Sequence, residues 1–299
     1  TNPKDPDSDD DGALDGADNC PLTGPNDQTD TDQDGAGNVC DDDDDNDGSS
    51  DTEEAERGTN PLVADTDNDG TGTFTVASAL STGNNALSIT AGGLALNGTL
   101  SSGGTAATTI LASLSGATIG LGASSCGGTC GISLTTTELG NITAGSLIIG
   151  DGTNGNITVE GVSSTDSDQF GLVTLNATAS GSSVTFETTD SFFQGLTVNA
   201  ADGITISSNL TTNGTTSFNS DSNATGIGDF ILSSSLSTTN NTLSVTANGL
   251  VLTGTLSSGT AGTTILASQA ASTIGLGTSN CGGTCGLSLT SAELGKITA

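Results

Sequence analysis

The sequence predicts an all-β chain, a parallel β-helix or solenoid preceded by an irregular region with little secondary structure. Three observations lead there. Beyond about residue 74 the apolar residues come in short, alternating, β-branched bursts. Part of a module of about 155 residues occurs twice. Before residue 74 large apolar residues are scarce, and acids recur at fixed spacing.

The bursts include ALSIT, LALNGTL, TTILAS, GISLT, GNITVEGV, LVTLNATA, SVTFET, GLTVNA and GITISS, with Gly, Asn and Asp turns between them. Their spacing suits either a sandwich or a solenoid. Gly-Leu-x-Leu and Gly-Ile-x-Ile rungs, few aromatics and small polar residues able to stack in columns favour the solenoid. Residues 74–144 and 230–299 are duplicates, identical at about 49 of 70 aligned positions, and residues 145–229 join them. The expected domains are therefore 1–73 and 74–299.

Charge divides the chain at the same place. Residues 1–70 hold 24 of the 35 acids and two of the three basic residues. A net charge of −32 argues against nucleic acid or an anionic membrane as partner and makes cations the natural one. No apolar run is long enough to span a membrane, and no signal peptide is seen. The first residues already lie inside a repeated motif, so the N-terminus reads as a processing or cloning boundary.

Calcium loops of the EF-hand type need oxygens at positions 1, 3, 5, 9 and 12 and a glycine at 6. Asp7, Asp9, Asp11, Gly12, Asp15 and Asp18 fill that frame once. Asp30, Asp32, Asp34, Gly35, Asn38 and Asp41 fill it again, and Asp43, Asp45, Asp47, Gly48, Asp51 and Glu54 a third time. A fourth loop starts at Asp65, Asp67, Asp69 and Gly70, but Thr73 and Val76 stand at its positions 9 and 12. All of these side-chain oxygens are candidate ligands of Ca2+. Residues 1–70 contain few large apolar side chains, essentially Leu14, Val39, Leu62 and Val63, so metal binding is expected to supply their folding energy.

The cysteines fall in three local pairs, Cys20 with Cys40, Cys126 with Cys130 and Cys281 with Cys285, in a chain without histidine. That reads as three disulfides in an oxidising, extracytoplasmic setting rather than as zinc sites, with free thiols as the alternative. The glycines of the two CGGTC elements let each five-residue loop close on itself. A redox-active pair would be the functional alternative, but it lacks a neighbouring cation or helix N-terminus.

The segments DSDDDGALDGADNCP, NDQTDTDQDGAGNVCDDDDDNDG and GTNPLVADTDNDG resemble thrombospondin type-3 repeats over residues 1–70. Asn38, where that pattern has Asp, and the truncated fourth loop depart from it. The resemblance implies a chain wound around calcium ions with little apolar core, and a Cys20–Cys40 bridge. The region beyond resembles, more loosely, the parallel β-helix of filamentous-haemagglutinin-type adhesins.

Catalysis has little to stand on. The chain has no His or Tyr and three basic residues, which removes the commonest general bases and anion clamps, and no enzyme is expected. Asp166, Asp168, Glu187 and Asp190 read as solvated turn residues. A carboxylate-only glycosidase or lyase would lack the usual aromatic sugar platforms. The sequence instead implies a structural subunit of a secreted, calcium-stabilised extracellular filament or prokaryotic surface stalk, a homopolymer assembled head to tail. The alternative is an adhesin that binds a host, matrix or carbohydrate ligand through its solenoid face. A third possibility, an ice- or surface-binding threonine array, is disfavoured by the sporadic occurrence of T-x-T.

Overall fold

The computed structural model describes residues 5–25, 28–32, 34–44, 50–52, 62, 72–123, 130–278 and 285–299. It separates into two compact units, Thr1–Asp69 and Gly70–Ala299.

Apart from Asp51 and Thr52, which are helical, the described residues of the first unit form turns, bends and irregular chain. Leu14, Leu22 and Val39 lie exposed, so among the described residues no apolar core organises it. Its cohesion comes from backbone amides bound to carboxylates and from one disulfide between Cys20 and Cys40, Cα atoms 5.8 Å apart.

The second unit is a parallel β-solenoid. Successive strands lie on three faces, and every strand pair among the described residues is parallel, which excludes a sandwich of antiparallel sheets. One full coil runs through Leu196–Ala200, Ile204–Ile206 and Leu210–Thr212. The next runs through Thr216–Asn219, Asp229–Leu232 and Ser235–Ser237, directly above it.

Alternation places every second side chain inside. On the first face Ile89, Ile110, Ile149, Leu175, Val198, Phe218, Val245 and Ile265 form one column. All but the terminal Ile265 are buried. On the second face Ile157, Val184, Ile204, Phe230 and Leu250 stack likewise. Each of these side chains removes apolar surface worth about 1.5–3 kcal/mol from water, and only the stacked neighbour makes that possible.

Coil length varies for visible reasons. Leu196 pairs with Thr216 and Leu243 with Thr263, each 20 positions on. Thr216 pairs with Leu243, 27 on, because residues 220–228 are inserted at a corner. Thr108 pairs with Leu147, 39 on. There the chain visits the second face twice: Ile119–Gly122 is followed, through the Cys126–Cys130 loop, by Ile132–Thr135 paired parallel beside it. Ile274–Leu276 and Leu287–Leu289 repeat this in the second copy. Ile132–Thr135 is thus an added strand on the second face. Cys130 and Cys285 are disulfide-bonded, while Cys126 and Cys281 lie outside the described residues.

Three helical turns, Thr136–Gly140, Ser164–Ser167 and Ser291–Leu294, were not expected from the strand-like sequence. Each opens with a capping box, in which Thr135 faces Glu138, Ser163 faces Asp166 and Thr290 faces Glu293. Glu138 also accepts the Leu96 amide from the neighbouring rung at 3.0 Å, and Glu293 the Leu252 amide at 3.2 Å. Asp166 is therefore a cap, and Asp190 holds the Asn209 amide and side chain, where solvated turn residues were expected. No helix among the described residues is long and apolar enough to cross a membrane.

Candidate metal centre

The first two aspartate loops are built from the same hydrogen bonds. The glycine at position 6 takes a positive φ, +99° at Gly12 and +103° at Gly35. Its amide then turns inward, Gly12 N donating to Asp7 Oδ2 at 3.1 Å and Gly35 N to Asp30 Oδ2 at 3.2 Å. A side chain at this backbone angle would be strained. Asp11 N donates to Asp9 Oδ1 and Asp34 N to Asp32 Oδ1. Ala13 N and Ala36 N donate to Asp11 Oδ1 and Asp34 Oδ1, both at 2.8 Å.

The result is two tight carboxylate groups, Asp7 with Asp9 and Asp11, and Asp30 with Asp32 and Asp34, whose facing oxygens lie within 4.8 Å of one another. Unneutralised, each pair of such charges repels by about 3 kcal/mol at an effective dielectric of 20. Burial, together with the charges of Asp11, Asp18 and Asp7, raises the Asp9 carboxyl above the usual carboxylate range. Asp7 Oδ1, Asp9 Oδ2 and Asp32 Oδ2 are shielded from solvent and receive no hydrogen bond. Oxygen-only, triply anionic cradles with free carboxylate lone pairs fit a hard divalent cation, and the irregular geometry suits calcium better than magnesium. In that role Asp7, Asp9 and Asp11, and Asp30, Asp32 and Asp34, would hold the ion. It would cancel the repulsion that otherwise opposes each loop's closure.

The position-9 side chains hold backbone amides in the described structure. Asp15 accepts the Ser8 amide at 2.7 Å and the Ser8 hydroxyl at 2.8 Å. Asn38 accepts the Thr31 amide at 3.0 Å, and Asp51 the Asp44 amide at 3.0 Å. In all three loops the position-9 side chain clasps the backbone of position 2, which explains why asparagine serves as well as aspartate. Its own amide returns to the residue before position 1, as in Asp15 N to Pro6 O and Asn38 N to Thr29 O, both at 3.0 Å, and Asp51 N to Asp42 O at 2.9 Å.

At position 12, Asp18 binds the Cys20 amide and Gln28 Nε2, and Asp41 binds the Asp42 and Asp43 amides; neither joins the three-carboxylate groups. Asp45, Asp47 and Glu54 of the third loop, and Asp65, Asp67 and Asp69 of the fourth, lie outside the described residues. The Cys20–Cys40 bridge ties the end of the first loop to the end of the second, reinforced by Gly37 N donating to Asn19 O at 3.1 Å.

One related loop escaped the sequence reading. Asp221, Asn223, Thr225 and Gly226 repeat positions 1, 3, 5 and 6 inside the solenoid. Gly226 has φ +81° and donates to Asp221 Oδ2 at 3.0 Å, and Thr225 N reaches Asn223 Oδ1 at 3.3 Å. Here, however, Ser268 Oγ at 2.6 Å and Gln269 Nε2 at 3.5 Å occupy the carboxylate from a later coil. Burial alone would raise the Asp221 carboxyl, but the donors Ser268, Gly226, Thr225 and Gln269 outweigh it and hold it below the usual range. This is a loop of the calcium type closed by protein donors. The glycine at position 6 was its signal.

Fold and site together define a class: a parallel β-solenoid protein that carries a separate unit of aspartate loops suited to hard cations. No family model, no curated protein and no solved structure matches the chain.

Proposed function

We propose that the chain is a structural subunit of a secreted, calcium-stabilised filament or surface stalk. The observation that carries it is the pair of aspartate loops, closed by the same backbone-to-carboxylate bonds at positions 3, 5, 6 and 7, with shielded carboxylate oxygens on Asp7, Asp9 and Asp32 that receive no hydrogen bond. Such loops close when a cation arrives and repel when it leaves. They share a chain with a solenoid whose core column runs through eight rungs, a shape that provides length and stiffness. The likeness of residues 1–70 to thrombospondin type-3 repeats supports the calcium part, and the Cys20–Cys40 bridge supports an oxidising, extracellular location. Subunits join head to tail.

A second reading, an adhesin of the filamentous-haemagglutinin type, is favoured by the outward side of the first face. Thr174, Thr197, Ser217, Ser244 and Thr264 stand in one column, and Asn176, Asn199 and Asn219 in the next, a flat polar surface open to a ligand.

Electron microscopy of the native material, with calcium and with chelator, tests the first reading. Ordered fibres that fray on chelation are expected. Material that stays monomeric in saturating calcium would overturn it.

A further inference from the structure

Eight Asn-x-Thr triplets, the acceptor pattern for an asparagine-linked sugar, lie in the solenoid. In a chain so rich in serine and threonine that number is close to chance, so the motif alone selects none of them. What each side-chain amide does in the fold sorts them.

In six triplets the amide is committed to the fold. Asn141 Nδ2 donates to Leu96 O at 2.9 Å, Asn176 Nδ2 to Gly150 O at 3.4 Å and Asn209 Nδ2 to Asp190 Oδ2 at 2.9 Å. Each of these bonds ties one rung to another. Asn156, Asn223 and Asn240 instead use Oδ1 to accept the backbone amides of Ser183, Thr225 and Thr260.

Asn213 differs. Its backbone amide is fixed to the rung beside it, donating to Phe193 O and Gln194 O at 3.1 Å. Its side chain, however, is exposed and makes no hydrogen bond among the described residues. Thr215 is likewise exposed, its hydroxyl unengaged, and Gly214 between them presents no side chain to an approaching enzyme. The triplet forms the corner between Leu210–Thr212 and Thr216–Asn219, outside both strands. Described strands flank this coil on either side, so its exposure does not come from an edge of the stack. Asn97 is also exposed and unengaged, but its corner follows a strand paired with Thr73–Val76, next to residues outside the described set, so Asn213 alone carries the inference.

We propose that Asn213 is a glycan acceptor. Its Nδ2 bonds to the anomeric carbon of a sugar delivered as a lipid-linked pyrophosphate. The N–C bond forms as the C–O bond to the pyrophosphate breaks; the lipid pyrophosphate leaves, and the amide gives up one proton to a base of the transferring enzyme. A bulky, hydrated sugar at this corner costs the solenoid no bond between rungs. At Asn209 it would have to break the clasp on Asp190. Such transfer acts on secreted chains, so the proposal rests on the extracellular location read above.

The test is mass spectrometry of the full native chain, recovered separately from cells and from the extracellular fraction. Cleavage before Asp202 and Asp221 releases residues 202–220, which hold both Asn209 and Asn213. Electron-transfer fragmentation then places any sugar on one or the other. The expected result is an intact glycan on Asn213, with Asn209 bare, in extracellular material. Thr215→Ala should abolish it and Thr215→Ser retain it, with the circular dichroism spectrum unchanged in both, since Thr215 is exposed.

Extracellular chain with Asn213 bare overturns the acceptor and leaves the location standing. So does a gain of one mass unit alone, which marks hydrolysis of the amide at the Asn213–Gly214 step. Sugar shared equally with Asn209 overturns the selection by free amides. Chain found only inside cells overturns the location and the acceptor together.

Discussion

Replacing Asp221 with alanine removes the acceptor at the centre of the 221–226 loop. The carboxylate, 2% exposed, receives Thr225 N at 2.9 Å, Gly226 N at 3.0 Å, Ser268 Oγ at 2.6 Å and Gln269 Nε2 at 3.5 Å. A hydrogen bond to a charged group contributes about 1.5–3 kcal/mol, and shared bonds do not add in full. Loss of the whole clasp should therefore cost about 3 kcal/mol, roughly a hundredfold in the local opening equilibrium. A solenoid opens rung by rung, so the assay is native-state hydrogen exchange at the Thr225 and Gly226 amides, with chelator present throughout.

The pH dependence has a fixed sign. The folded carboxyl is held below its ordinary value, so its contribution is complete above the unfolded pKa of about 3.9 and disappears as pH falls through the depressed folded value. Wild type and variant should differ fully at pH 7 and converge in acid. A loss below about 1 kcal/mol at pH 7, or a gap that persists undiminished in strong acid, would refute the account of a donor-closed loop.

Further outcomes follow from the same geometry. Ile119→Ala should cost about 3 kcal/mol through its cavity, and Ile274→Ala, at the duplicate but half-exposed position, under about 1 kcal/mol in monomeric protein by chemical denaturation. Removing the Cys20–Cys40 bridge with paired serines frees a 20-residue separation and should lower the first unit's stability in calcium by about 3 kcal/mol, read by urea titration. Chelation should expand the first unit, seen as a larger scattering radius, and leave the solenoid's circular dichroism unchanged. Glu138→Gln should cost about 1 kcal/mol, because Glu138 closes the capping box and also accepts the Leu96 amide, with faster exchange at Leu96 as the readout.

The strands of the solenoid were legible because burial on one side enforces a period of two, as at Leu196, Val198 and Ala200. Their parallel order followed from the internal duplication and from the scarcity of large side chains. The three-faced coil and its uneven length did not show, since nothing in CGGTC announces a second visit to the same face. The helical turns were masked by threonine and serine, although the Thr135 to Glu138 spacing was readable as a cap.

In the acidic unit, spacing identified the residues that converge, Asp7, Asp9 and Asp11 with Asp30, Asp32 and Asp34. It did not show that Asp15 and Asn38 also hold the backbone amides of Ser8 and Thr31. Asp221 was overlooked because its loop carries one charge instead of three, and its closing partners stand 47 and 48 positions away.

The hydrogen bonds between rungs run along the stack, and the shortest coils, such as the one from Leu196 to Thr216, hold 20 residues of chain. Pulled end to end, such an object sheds coils one at a time from an edge. A coil that occupied about 4.8 Å of height releases roughly 70 Å of extended chain. Where a coil carries a corner insert, as the clasp from Asp221 to Ser268 does, the unravelling must first break a buried carboxylate's bonds across rungs. The stack is thus a reel with a catch: it lengthens under load by about fifteenfold at a 20-residue coil and by more at the longer ones, in steps, and pauses at Asp221.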